Sequence, residues 1–190
     1  MEGHYRSIIE QIGEDPEREG LLKTPERVAK AMKFLTHGYD INPDEIIRQA
    51  IFHEDYSEMV IVKHIEVYSM CEHHMLPFFG KAHVAYIPGK DGKVVGLSKL
   101  NRIVEHFARR GAIQEQLTVA IHNAVSAICE DNAGVMVVVH SFHNCVSCRG
   151  VKHFGASMVT SEVSGVFADH AKTAKQEVLE MLKFNLQAYI

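Results

Sequence analysis

Two short runs of soft metal donors, each set where a β-branched stretch ends, constrain this chain more than any other feature. Cys71-Glu72-His73-His74 follows a segment carrying Val60, Ile61, Val62, Ile65 and Val67. His143-Asn144-Cys145 closes a second strand with the run Val135-Met136-Val137-Val138-Val139. Both stretches read as strands. A Cys-x-x-His pair with a distant cysteine suits near-tetrahedral coordination by thiolate and imidazole, which points to zinc. Cys71, His74 and Cys145 would supply three ligands and leave the last position to water, as catalytic zinc requires.

Other readings of the same residues stay open. Cys145-x-x-Cys148 together with Cys71-x-x-His74 would make a closed, four-ligand structural site. A redox Cys-x-x-Cys pair is disfavoured, because the βαβ context of such motifs is missing. Ordinary buried cysteines and histidines, with no metal, are the remaining alternative. His73 and His143 flank the proposed ligands. Imidazole titrates near neutrality, so both suit proton transfer to a leaving nitrogen or from a water.

Composition narrows the class. At 190 residues the chain suits one domain with an N-terminal extension. A net charge of −4 gives no bulk attraction for nucleic acid, so an anionic partner needs a local cluster of cations. No apolar run approaches the length of a membrane span, and the polar start is not a signal peptide, which points to the cytoplasm. In that reducing compartment, clustered cysteines suggest metal or catalysis more than disulfides.

The rest of the chain reads as paired strands and paired helices. Thr24-Pro25 is a helix start, with Thr24 as the cap candidate, and that helix should run to about Gly38; Asn42-Pro43 is a weaker start. Residues 1–55 would form a helical arm and 56–190 the main domain. Lys81 to Pro88 reads as a strand, and Gly89-Lys90-Asp91-Gly92 as a hairpin turn into Lys93–Gly96. Leu100, Ile103, Val104, Phe107 and Ala108 make one apolar helix face that Gly111 ends; Leu117, Ile121, Ala124, Val125 and Ile128 make another. A strand over Ser157–Val163 and a helix from about Thr173 complete the set. Without βαβ alternation, the class is α+β, an antiparallel sheet backed by helices.

An anion site is expected where the first of the paired helices opens, at Gly96-Leu97-Ser98-Lys99-Leu100-Asn101-Arg102. Ser98 is a capping candidate, the first-turn N–H groups favour an anion, and Lys99 and Arg102 would share the face opposite the apolar stripe. Arg149 could add a bidentate contact. The plain alternative is a solvated basic face, since Arg109 and Arg110 follow on the same helix. Gln114-Glu115 opens the next helix. Its carboxylate can accept from a guanine-type N1–H and 2-amino edge, or simply complement the helix dipole.

These motifs together resemble GTP cyclohydrolase I. Ser69 to Ala82 is similar to that family's zinc segment, and Gly96 to Val104 to its phosphate segment. Gln114-Glu115-Gln116-Leu117-Thr118 resembles its Gln-Glu-x-Leu-Thr. His143-Asn144-Cys145 with Arg149-Gly150-Val151, and Leu22 to Ala29, match its second zinc segment and N-terminal helix. The resemblance covers roughly residues 10–185.

It implies the tunnelling fold (T-fold), a four-stranded antiparallel sheet with two antiparallel helices on one face. It implies zinc on Cys71, His74 and Cys145, with proton handling by His73 and His143. Glu115, assisted by Gln114, would anchor the guanine. Ser98, Lys99, Arg102 and Arg149 would hold the triphosphate, with Arg27 reaching it from a neighbouring subunit. The implied reaction is hydrolytic opening of the GTP imidazole ring by a zinc-bound water at C8, loss of formate and closure to 7,8-dihydroneopterin triphosphate, the first step of tetrahydrofolate and pterin biosynthesis. The implied assembly is a homodecamer of two pentamers, with no nucleic-acid or membrane partner. Two departures stand out: Cys148 occupies a position that is variable in the family, and Ala112 replaces a residue that is often Gln. Rival readings are another tunnelling-fold enzyme acting on a pterin or deazapurine, and a nucleotide-binding assembly with structural zinc.

Overall fold

The computed structural model describes residues 1–43, 51–128 and 131–183. The helix expected from Asn42-Pro43 lies, from residue 44 on, outside the described residues, as does Cys129.

Four strands make the main sheet: β2 (Val60–Cys71), β3 (Pro77–Ile87), β6 (Gly134–His143) and β7 (Met158–Val163). They are antiparallel in the order β2-β3-β6-β7, and the two-residue β5 (Gly111–Ala112) adds parallel to the end of β2. Helices α3 (Leu97–Ala108) and α4 (Gln114–Ile128) cover one face. The expected fold class is therefore observed.

Alternation explains which residues meet the helices. Val67, Ala82, Val84, Tyr86, Val135, Val137 and Val139 pack on Leu100, Ile103 and Val104 of α3 and on Leu117, Ile121 and Val125 of α4. The opposite parity of β6, Met136 and Val138, joins Ala85, Phe167 and Val178 in a smaller core under α6 (Ala174–Lys183). This is why β6 reads as an unbroken apolar run: both of its faces are covered.

β2 breaks alternation once. Pairing steps from Val62↔Val84 to Ile65↔Ala82, so β2 carries one extra residue there, a β-bulge. His64 takes φ 61 at this bulge and its N–H donates to His83 Nδ1. Val60 and Val62 before the bulge, and Ile65, Val67 and Cys71 after it, all pack into the core beneath the helices.

Four expectations differ from the structure. The segment Lys93–Val95 (β4) pairs with β1 (Ile51–His53) and not with β3. The turn is drawn away from a hairpin because the Asp91 N–H donates to the Asp131 carboxylate, and the Val95 N–H to the Tyr86 hydroxyl. By the same pairing, residues 51–53 are strand and not helical arm. α2 (Thr24–Leu35) begins one residue early, with Lys23 at the cap, and ends before a 3-10 turn at His37–Tyr39. α3 starts from Gly96, which leaves Ser98 inside the first turn and not at the cap.

The arm is fastened where α3 ends. α1 (Glu2–Gln11) packs on α2, and Gly38 then lies on the last turn of α3. Gly38 N–H donates to Arg109 O and Arg110 Nε donates back to Gly38 O; a Cβ on Gly38 would stand 2.2 Å from His106 O. His106 is buried beneath this contact, its Nε2 facing an Arg110 guanidinium nitrogen.

Burial, with the Arg110 charge in second place, lowers the His106 pKa to about 4 from 6.5. The folded chain thus binds fewer protons there than the unfolded chain, and stability held above the unfolded value falls as pH drops from 6.5 toward about 4. Thermal unfolding midpoints should fall between about pH 7 and about pH 5, and by less in His106→Leu; equal falls in both proteins would refute the assignment.

Candidate metal centre and catalytic site

Cys71 is the last residue of β2, and the turn that follows delivers His73 and His74. Met75 adopts φ 52, its N–H donates to Cys71 O, and Cys71 N–H donates to Leu76 O, so the turn is tight and closed. Cys145 arrives from the other side. It sits in the single helical turn α5 (Asn144–Ser147) that opens directly after β6. Because β3 pairs with both β2 and β6, the two turns meet at one end of the sheet.

Ligand atoms of Cys71, His74 and Cys145 all lie within 4.8 Å of one another. One ion with metal–sulfur bonds near ~2.3 Å and a metal–nitrogen bond near ~2.0 Å can reach all three with a small contraction. Cys71 is buried, Cys145 half-buried and His74 exposed, so the set opens toward solvent on the histidine side. Its donors also fit a cation chemically. Burial, and then the adjacent Cys71 sulfur, push the Cys145 thiol upward, with Arg149 opposing. Two neighbouring sulfurs that resist joint ionisation lose that resistance when a divalent ion sits between them.

Cys148 stands outside the set. Its thiol donates to Asn144 O at 2.8 Å and is exposed. The closure by three sulfurs and one imidazole that the spacing allows is not formed among the described residues. His73 approaches the same sulfur as His74, with Nδ1 3.9 Å from Cys71 Sγ against 4.0 Å, and its Nε2 lies 3.9 Å from the Glu72 carboxylate.

His143 shares the helix-facing parity of β6, two residues before Cys145. Its ring stacks on Phe78, directly opposite in the ladder, with centroids 4.4 Å apart and planes 11° from parallel. Burial pushes its pKa down, while the nearby Glu115 carboxylate pulls it partly back. Glu115 itself is exposed on the first turn of α4, bordering a cavity of about 360 Å³ with Gln116, Val119 and Asn123.

Gln114 is placed otherwise than its neighbour. It is 1% exposed, and its amide nitrogen lies 3.0 Å from Val139 O, 3.1 Å from Met158 O and 3.1 Å from Thr160 Oγ1. Its amide oxygen meets His143 Nε2 at 2.8 Å.

Ser98, Lys99 and Arg102 are not brought to this end by one chain. α3 runs alongside β2, with Leu97 beside the Val62–Ile65 stretch and Arg109 over the Tyr68 ring. Ser98 is therefore about 15 Å, ten residues of helix, from the end of α3 that leads into β5. Arg102 is exposed there, but Lys99 is only 8% exposed, so the two do not share one solvated face. Arg149 lies in the exposed segment after α5, within electrostatic reach of Cys145. Arg27 is exposed on α2, with Nη2 donating to Gly20 O.

Sequence reasoning passed over Phe78, Thr118 and Thr160. Thr118 donates to Gln114 O and meets Thr160 Oγ1 at 2.6 Å. Phe78 was within a quoted motif. Thr160, one of three consecutive polar residues on an edge strand, gave no signal.

Residues 1–183 match the GTP cyclohydrolase I family. The GTP cyclohydrolase 1 of Chlorobium chlorochromatii is 51% identical over 183 residues, covering 96% of this chain and 80% of that protein. GTP cyclohydrolase 1 1 of Pseudomonas aeruginosa is 54% identical, covering 94% of each chain. The protein from Parabacteroides distasonis is 52% identical over 97% of this chain and 92% of its own. Fold and site together define an α+β protein, a four-stranded antiparallel sheet under two helices with a three-donor centre able to hold a metal. The chain belongs to the GTP cyclohydrolase I family.

Metal analysis of the purified protein checks the donor set. Cys145→Ser and His74→Ala should lose most of the bound metal, whereas Cys148→Ser should keep one equivalent per chain. Loss of metal in Cys148→Ser alone would put residue 148 in the centre.

Proposed function

We propose that the chain opens the imidazole ring of GTP hydrolytically, releases formate and closes the product to 7,8-dihydroneopterin triphosphate, with zinc on Cys71, His74 and Cys145. The observation that carries this reading is the convergence of those three donors with His143 at one end of the helix-covered face. A zinc ion held there acidifies water and so supplies a nucleophile at neutral pH.

The chain's own residues would do the rest. Glu115 accepts from the guanine N1–H and 2-amino group, which sets the purine in the plane that presents C8 to the metal side. His143 donates a proton to N7 as the ring opens. His73, beside the ligand His74, handles protons during the second hydrolysis. Phe78 keeps the His143 ring from swinging, so the proton leaves from a fixed direction.

Ser98, Lys99, Arg102 and Arg149 are assigned to the triphosphate, with Arg27 reaching it from a neighbour. The distance of the α3 N-terminus from the metal end supports a site shared between chains. In such a site Ser98, Lys99 and Arg102 of one copy would face the metal centre of another. The long outer edge of β2 and the edge strand β7 are the natural seams for a closed ring, in keeping with a decamer of two pentamers. Residues 1–55 would then act as an arm whose strand β1 is laid on β4 of the catalytic unit, 56–190. Among the described residues no helix is long and apolar enough to cross a membrane, and free thiols suit a cytoplasmic setting.

Incubation with GTP, followed by oxidation and pterin fluorescence, tests the reading. His143→Ala should keep zinc and bind nucleotide but lose on the order of 10²–10⁴-fold in turnover. Near-normal formate release by that variant would remove His143 from the proton-transfer role.

A further inference from the structure

We propose that Gln114 is a positioning residue for His143, setting its orientation and tautomer, and not a contact of the guanine ring. The inference rests on the reading of His143 given above and deepens it.

The argument starts from the amide. An unlabelled Gln side chain can be turned end for end, but this one cannot. One end faces two backbone carbonyls, Val139 O and Met158 O, which only accept. That end must be the NH₂ group, since an oxygen there would face two lone-pair donors at 3.0 and 3.1 Å in a buried site. The other end is therefore the carbonyl oxygen, an acceptor. His143 Nε2, 2.8 Å away, must carry a hydrogen. In the neutral ring the lone pair is then on Nδ1, and Nδ1 is the nitrogen left to exchange a proton with substrate.

The rest of the network holds the amide in place. Thr118 Oγ1 donates to Gln114 O, and Thr160 Oγ1 meets both Thr118 and the Gln114 amide. The carbonyls come from β6 and β7, so both strands, the first turn of α4 and the His143 ring are joined through one side chain. At 1% exposure Gln114 has no surface to offer a nucleotide, and its two amide hydrogens already face three acceptors. Glu115, next in sequence and exposed, is left as the purine anchor.

The test compares wild type, Gln114→Met and Thr160→Val as zinc-loaded protein. Gln114→Met keeps the length and burial but offers His143 no acceptor; Thr160→Val leaves both carbonyls to orient the amide. Gln114→Met should keep its zinc and bind a non-hydrolysable GTP analogue within about threefold of wild type, while kcat falls by roughly 10- to 100-fold. Thr160→Val should lower the thermal midpoint yet keep kcat within about threefold.

A rise in Kd or KM with kcat unchanged would make Gln114 a substrate contact and overturn the proposal. Equal losses of kcat in both variants would also overturn it, since activity would then follow packing and not the bond to His143. Should Gln114→Met not fold, Gln114→Asn decides in the same terms, because its shorter arm cannot span the strand carbonyls and His143. Crystal structures supply an arm that needs no turnover: the His143 ring should leave its stack on Phe78 when residue 114 is Met. A ring unmoved in that variant refutes the proposal even if wild type proves inactive on GTP, an outcome that would count only against the substrate assignment.

Discussion

Everything at the site depends on β3 pairing with β2 on one side and β6 on the other, in one register. Phe78 faces Ser69 across one ladder and His143 across the other, and Pro77 faces Met70. With that register set, the turn after Cys71 and the turn holding Cys145 have no choice but to meet. A slip of one residue would exchange the two faces of a strand, taking Val84 or Val137 out of the core beneath the helices and putting the metal donors on opposite sides. Each such valine is worth about 1.5–3 kcal/mol when fully buried, so the hydrophobic core itself enforces the ligand geometry.

The site is built as a division of polar roles along one strand end. Donors that need a cation, Cys71 and Cys145, lie against the apolar core, where two bare sulfurs are hard to ionise together. The exposed His74 completes them from the solvent side. His143 sits between the two environments, stacked on an apolar ring and tied to a buried amide. Glu115 and Arg149 stand outside as the charges that meet solvent. Burial thus decides which groups orient and which engage.

Much of this was legible in the residues. The apolar stripe of α3 showed because period 3.6 exposes one face only, and the donor runs showed because Cys and His beside a strand end have few structural uses. What escaped the sequence depends on distant partners. Gln114 and Glu115 look alike as a polar pair opening a helix, and only the carbonyls of Val139 and Met158 separate them. β4 follows a turn with hairpin chemistry, yet the Tyr86 hydroxyl and Asp131 claim its backbone for another neighbour. Lys99 and Arg102 share a spacing, but Lys99 is enclosed.

The bulge at Lys63-His64 has a consequence beyond its own neighbourhood. It changes the count of β2 from even to odd, so that Val60 and Val62 point the same way as Cys71. A regular strand of the same length, without the bulge, could keep its upstream valines inside or its terminal sulfur inside, but not both. The bulge is therefore a coordination requirement written into the backbone: an irregularity well away from the metal donors keeps a sulfur turned toward its own centre.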